Sequence, residues 1–292
     1  SEMCIRDSSI ILPISQIIDH DKIWEAIRAD FVEMGLGPMP RHREILDWTR
    51  KEYNPYPPSK HEDRLKWIPE GEEVPQKGKT VLFVGCTNPY RASDLLVKYL
   101  QIMKAAGEEI AISPDLWCCG SIALRVGDRK LAEDLAKHNV EVLKEIGAVR
   151  VVTHCAGCYR TLKRDYPEIV GELPFEVLHT SEHLNELIKD GKLHLEKEVK
   201  YKTAYHDPCH LGRHCEVFDP PREVIRAIPG LEFTELRRIR YNSWCCGAGG
   251  GVKSAFPDLA VEIAKDRIRE AMEVKVDTLT TACPFCERNL TD

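Results

Sequence analysis

Four short runs in this sequence each stop on a cysteine: TVLFVGC at residues 80–86, VRVVTHC at 149–155, KTAYHDPC at 202–209 and TLTTAC at 278–283. Each is rich in Val, Thr, Leu, Phe or Tyr and too short for a helix, so each reads as a strand. Helical patterns lie between them. TVLFV leads to Gly85-Cys86 and a helix from about Ala92 to Ala106, and EEIAI (108–112) reads as a strand entering the loop of Cys118 and Cys119. A long helix from about Lys130 to Ile146 follows, closed by Gly147 as a C-cap, before VRVVT delivers His154 and Cys155. The order then recurs: strand KTAYH, a helix starting near Pro221, strand EFTEL (232–236), the loop of Cys245 and Cys246, a helix from about Ala255 to Met272, and strand TLTTA before Cys283.

Alternating strand and helix predicts an α/β fold with a parallel sheet in each half. The expected architecture is two pseudo-symmetric Rossmann-like repeats, residues 80–194 and 195–292. Cysteines directly after strands lie at the carboxyl ends of the sheet, where open α/β folds place ligands. Positions more than 30 residues apart thereby converge on one site.

Ten of the twelve cysteines form two quintets with one plan: Cys86, Cys118, Cys119, Cys155, Cys158, then Cys209, Cys245, Cys246, Cys283, Cys286. The gaps are 31, 35 and two residues in the first quintet and 35, 36 and two in the second. A CxxC pair sets two thiolates on one turn, a common half-site for zinc or iron–sulfur ligation. Adjacent cysteines in a strand would point to opposite faces, so Cys118/Cys119 and Cys245/Cys246 must lie in loops if both serve one site. Gly120 and Gly247 permit that bend. Structural zinc and an ordinary cubane [4Fe-4S] cluster each take four ligands, and five exceed both. The surplus thiolate points to an unusual cluster, with a bridging sulfur or an exchangeable ligand.

A chain of 292 residues buries a core without disulfide staples. No signal peptide is visible, and clustered cysteines in a reducing compartment usually bind metal or do redox chemistry. The net charge of −6 is mixed along the sequence, with no basic block to track phosphates. Nucleic acid is excluded as a partner on that ground. The longest apolar stretch, Ile10 to Ile18, carries Pro13, Ser15 and Gln16 and is about half the ~20 residues that span a bilayer. The chain reads as cytoplasmic, reaching the membrane only on a membrane-bound partner.

The motifs GCTNPY, WCCG and CAGC, and again DPCH, WCCG and CPFC, resemble the CCG cysteine-rich domain of heterodisulfide reductases over residues 80–292. HDPCHLGRHC and NSWCCGAGGGVKSAFPD are similar to the iron–sulfur subunits of heterodisulfide reductase and to the catalytic subunit of the sulfite-reductase-associated membrane complex. The resemblance implies a noncubane [4Fe-4S] cluster on each complete quintet, all ten cysteines being ligands. It also implies that a disulfide lodged between two such clusters is cleaved in one-electron steps, each sulfur being captured by an iron. Other subunits of an electron-transfer complex, a ferredoxin-like electron donor and a small-molecule or protein disulfide are the implied partners. The relatives' CxxCxxCxxxCP runs do not occur here, so the chain is expected to be a piece of a longer protein or to take electrons from a separate subunit. Two alternatives stand beside this: an electron relay in a quinone-linked glycolate, lactate or glycerol-3-phosphate dehydrogenase-type complex, and a zinc-stabilised interaction module.

His154, His206 and His210 adjoin ligand cysteines and are candidate proton donors, against the simpler reading of strand-end histidines bonded to backbone. Asp207 and Pro208 shape a turn. Gly247, Gly249, Gly250 and Gly251 fit neither phosphate-binding fingerprint and are read as close backbone approach to the cluster. Arg213, Arg222 and Lys253 are candidates for attracting an anionic substrate, although lone cations are usually solvated surface. Cys4 and Cys215 stand outside the pattern as bystanders. Residues 1–79, with helices at Asp21–Met34 and Arg41–Lys51 and the breakers GLGPMP and NPYPPSK, read as a helical arm and proline-rich linker.

Overall fold

The computed structural model describes residues 19–292; Cys4 and the apolar stretch at 10–18 lie outside them. Helices α1 (His20–Glu33) and α2 (Pro40–Glu52) form the arm. Two three-stranded sheets follow, every pairing parallel. The first has the order β1 (Thr80–Leu82), β2 (Arg150–Thr153), β3 (Glu176–His179). In the second, β4 (Lys202–His206) is central, between β5 (Glu232–Thr234) and β6 (Thr278–Thr281).

Strand alternation explains how the first sheet faces the cysteines. Val81, Phe83, Val151 and Val177 join a buried cluster that contains Cys119, Cys158, Cys245, Cys246, Cys283 and Cys286. Their neighbours Leu82, Val84, Val152 and Leu178 point the other way, onto Leu96, Tyr99 and Met103 of α3 (Ser93–Ala105). A one-residue slip would swap the two faces, so the period-2 pattern fixes the register.

The long helix α4 (Arg129–Glu145) starts where Asp128 accepts a hydrogen bond from the Leu131 amide at 3.1 Å, an N-cap. It buries Leu131, Leu135, Val140 and Leu143 as one stripe and stops before Gly147, whose φ is +79°. Its counterpart in the second half, α5 (Pro257–Glu273), begins on proline at its first position.

EEIAI is not a strand. Ala111 makes one bridge to Val81, while the Ile112 amide is spent on the Pro75 carbonyl at 2.8 Å and Pro114 stops further pairing. EFTEL shrinks to the three residues of β5. Strand β3 and the helix Thr180–Lys189 after it have no counterpart in the sequence-based expectation.

The arm is more than a linker, because it forms part of the wall between the two halves. A β-carbon at Gly127 would meet the α1 backbone at Arg28 at 2.5 Å, so only glycine lets α1 lie this close. From α1, Asp21 reaches His214 at 2.7 Å in the second half and Arg160 at 3.5 Å in the first. From α2, buried His42 donates through Nε2 to the Gly251 carbonyl at 2.9 Å.

Candidate metal centre

One cavity of about 200 Å³ lies between the two halves, and nine of the ten repeated cysteines line it, all except Cys245. Eight of the ten are buried, and Cys155 and Cys209 are partly exposed. Local structure accounts for each placement. Cys86, Cys155 and Cys283 occupy the N-caps of short helices, where exposed amides favour a thiolate. Cys158 and Cys286 follow one turn later on the same face, which is what the CxxC spacing does.

The paired cysteines occupy loops, as the bend requires. Gly120 and Gly247 have φ of +83° and +88°, and in each loop the glycine amide donates to the first sulfur of the pair: Gly120 to Cys118 Sγ at 3.5 Å, Gly247 to Cys245 Sγ at 3.3 Å. Each loop is also clamped by a buried asparagine that sequence reading missed. Asn139 Nδ2 donates to the Cys118 carbonyl at 3.0 Å and its Oδ1 accepts from the Trp117 amide at 2.7 Å. Asn289 Nδ2 donates to the Cys246 carbonyl at 2.6 Å. A polar residue on an otherwise apolar helical stripe is the only signal the sequence offers for them. The arm adds a third anchor, since the Cys118 amide donates to the Tyr53 carbonyl at 2.9 Å and Tyr53 stacks on Trp117 at 3.8 Å.

The thiols form a continuous hydrogen-bonded chain running through both quintets. Cys119 is held as a thiolate, down to about 5, by donation from Cys118 and then Cys158. Cys155 is lowered by Cys158 and by Cys283 of the other half, and Cys246 by Cys245 and Cys286. The donors bear the opposite shift, with Cys158 and Cys286 raised and Cys283 pushed up to about 12. Three buried thiolates with no metal is an unfavourable arrangement that a cationic iron core relieves.

Orphaned donors beside the sulfurs test the fit further. Buried Arg64 has no partner at Nε or Nη1 and lies against Cys86, whose thiol it lowers against the larger upward effects of Cys118 and burial. His206 Nε2 is likewise buried without a partner, and a ring nitrogen of His206 lies within 4.8 Å of the Cys246 and Cys286 sulfurs. Five thiolates per half with buried N–H groups aimed at sulfur suit an anionic, sulfur-ligated iron cluster.

Of the three histidines, His210 lines the cavity and the other two do not. Burial first, then Arg160, keeps its imidazole well below the usual range. His154 edges Tyr99 at 4.6 Å, and His206 is held behind the sulfurs by Arg267, which donates to Nδ1 at 3.1 Å. Arg125 is a cavity-wall cation, saturated by Glu25 at 2.5 Å and by Asp165.

The cations singled out for anion attraction are placed elsewhere. Arg213 donates to the carbonyls of Tyr241 and Ser243, and Lys253 to Asn289 and Asp292. Arg222 is fully buried, gripping both carboxylate oxygens of Asp207 at 2.7 and 2.8 Å and Glu235 at 2.6 Å. It therefore fixes the Asp207-Pro208 turn that presents Cys209. Arg222→Leu strands Asp207 as an unpaired buried charge and should destabilise the protein by about 3–5 kcal/mol, read as a lower midpoint in urea unfolding. Gly249, Gly250 and Gly251 do line the cavity, and Cys215 is a half-buried thiol raised to about 12 by burial.

Residues 80–163 and 203–291 both match the family described as CCG, cysteine-rich domain. A heterodisulfide reductase subunit of Methanosarcina acetivorans, named for dihydromethanophenazine and CoB–CoM, is 43% identical over 280 residues, 94% of this chain and 68% of that protein. A fumarate reductase (CoM/CoB) subunit of Methanothermobacter marburgensis is 36% identical over 272 residues, 92% of this chain and 52% of the other. The EtfAB:quinone oxidoreductase of Syntrophomonas wolfei is 30% identical over 298 residues, 94% and 41% of the two chains. Thiolate-lined cavity and relatives together define an iron–sulfur oxidoreductase. The chain belongs to the CCG cysteine-rich domain family, alongside the iron–sulfur subunit of the Methanosarcina heterodisulfide reductase.

Proposed function

We propose that residues 80–194 and 195–292 are two pseudo-symmetric Rossmann-like repeats, each holding one noncubane [4Fe-4S] cluster on its five cysteines. In this reading the protein is the catalytic subunit of a disulfide-reducing electron-transfer complex. The observation that carries it is the single cavity walled by cysteines of both quintets, with Cys155 and Cys283 hydrogen-bonded across the boundary. The matched glycine-to-sulfur bonds and asparagine clamps support the pseudo-symmetry.

When bound, the clusters supply one electron apiece, so that RSSR′ with two electrons and two protons becomes RSH and R′SH. The protein's own groups do the rest. Ile45, Pro55, Tyr56 and Phe285 give the cavity an apolar wall that excludes water from a substrate sulfur. His210 is the histidine on that wall, so proton delivery to a leaving thiolate falls to it; Arg160, 3.5 Å from its Nε2, orients the ring. His154 and His206 have no such access and support the strand ends and sulfurs instead.

The substrate class is a disulfide of small thiols, with the coenzyme M–coenzyme B heterodisulfide the first candidate because two relatives carry those coenzymes in their names. Electrons come from a ferredoxin-like partner within a multisubunit complex. No helix among the described residues is long and apolar enough to cross a membrane. We place the protein in the cytoplasm, with a partner subunit as its route to the membrane.

Iron and acid-labile sulfide analysis of anaerobically purified protein should give about eight irons per chain with matching sulfide. Reduced viologen should then be oxidised on adding the heterodisulfide. Stoichiometric zinc without visible absorption sinks the redox reading, and full iron without dye oxidation by any disulfide leaves the electron relay.

A further inference from the structure

The two halves are not chemically equal, and the difference lies behind one sulfur pair. His206 stands three residues before Cys209, and the residue three before Cys86 is Phe83. Arg267 follows Cys246 by 21 residues, and the residue 21 after Cys119 is Val140. Phe83 and Val140 are buried in the same apolar cluster, whereas His206 and Arg267 are equally buried but polar.

Arg267 decides what His206 can do. Its Nε–H donates to His206 Nδ1 at 3.1 Å, which makes Nδ1 the acceptor nitrogen and places the ring proton on Nε2. The guanidinium cannot turn away, because Nη1 is held by Glu270 at 2.6 Å and by the Arg238 carbonyl at 2.9 Å, and Nη2 by Ser243 Oγ at 3.2 Å. The Thr281 hydroxyl fixes the His206 carbonyl at 3.2 Å. Nε2 has no other partner, and the Cys246 and Cys286 sulfurs lie in front of the ring, within 4.8 Å. A nitrogen that carries a proton donates to sulfur and has no lone pair for iron.

On the reading that both quintets hold clusters, we infer that His206, positioned by Arg267, donates an Nε2–H hydrogen bond to a ligand sulfur of the second cluster and thereby gives it the higher reduction potential of the pair. A hydrogen bond to a ligand sulfur stabilises the more negative, reduced cluster. The first cluster, backed by Phe83 and Val140, has no such donor at the matching place. His206 is a positioning residue and touches no substrate.

The test is an EPR-monitored redox titration of anaerobic protein already shown to contain iron and sulfide, so that absence of clusters counts against the functional reading and not against this inference. His206→Phe, which copies Phe83, should lower the midpoint of one cluster and leave the other unmoved. Each tenfold loss of preference for the reduced state appears as about 59 mV for one electron. His206→Asn, keeping an N–H donor, should recover part of the shift. Unchanged midpoints, or equal movement of both, overturn the inference. Should the variants fail to fold, ¹⁵N-histidine-labelled wild type still decides by electron spin-echo spectroscopy. A weak nitrogen coupling at one cluster is expected; a strong coupling of directly bound nitrogen, or none at all, overturns the assignment.

Discussion

Serine in place of Cys158 should halve the bound iron, from about eight to about four atoms per chain, while Cys286→Ser removes the other half. Serine offers a hard oxygen of high pKa where a soft thiolate is needed. Each substitution acts in one quintet, because Cys158 shares its proton with Cys119 and Cys155 and Cys286 with Cys246 and Cys283. Disulfide reduction should fall more than about 100-fold in both variants, since changes one shell further out already cost 10–100-fold at metal sites. Cys215→Ser is the control: its half-buried thiol stands outside both quintets, and iron content should not change. Loss of all iron from a single substitution would mean that the quintets do not form separate sites. Unchanged iron would remove the residue from the ligand set.

The strand ends are legible because a fully buried parallel strand writes itself as a short apolar run, and a cysteine after such a run can lie only at the carboxyl edge. The five-position plan survives any error in helix limits, since it depends on spacing alone. What the sequence does not show are partners distant along the chain. Arg222 reads as a cation in a row of polar residues, and only the fold reveals Asp207 and Glu235 closing on it. The asparagine clamps and the orientation of His206 are of the same kind. EEIAI carries a strand-like pattern, yet backbone groups from Pro75 take the bonds a further strand would use.

The arm misleads for a related reason. Its helices have exposed faces and breakers between them, so nothing local marks it as part of the site. Yet Asp21 bridges to both halves, and burial alone would raise its carboxyl; His214, Arg160 and Arg125 together bring it below the ordinary range. The charges of Asp21, Glu25 and Asp165 interleave with Arg125 and Arg160, a network that closes only when arm and both halves have assembled. The cavity is therefore a product of three segments, none of which encloses it alone.

Acid should unfold this protein through its histidines, at a cost of about 5 kcal/mol between pH 7 and pH 4.5. His179 and His183 are both buried, and burial, the largest influence on each, holds them down to about 4. Their bonds require the neutral ring: His179 accepts at Nδ1 from Ser181 and donates from Nε2 to the His154 carbonyl at 3.0 Å, and Tyr99 donates to His183 Nδ1 at 2.6 Å. In the unfolded chain the same groups titrate near 6.5, so below that pH the unfolded state binds more protons than the native state. The sign follows directly. Their contribution is intact above about pH 6.5 and is lost as the pH falls towards 4, at about 1.4 kcal/mol per pH unit for each ring. His154, pushed to about 3 by burial and by His179, adds in the same direction. Iron–sulfur centres are themselves acid-labile, so the discriminating measurement is a difference. His183→Gln, whose amide can keep the Tyr99 bond, should show a shallower dependence of urea-unfolding free energy on pH, by about 1.4 kcal/mol per unit between pH 6.5 and 4.5. Parallel slopes for variant and wild type would show that the ring is already protonated in the native state, and that the buried pair is not what acid attacks.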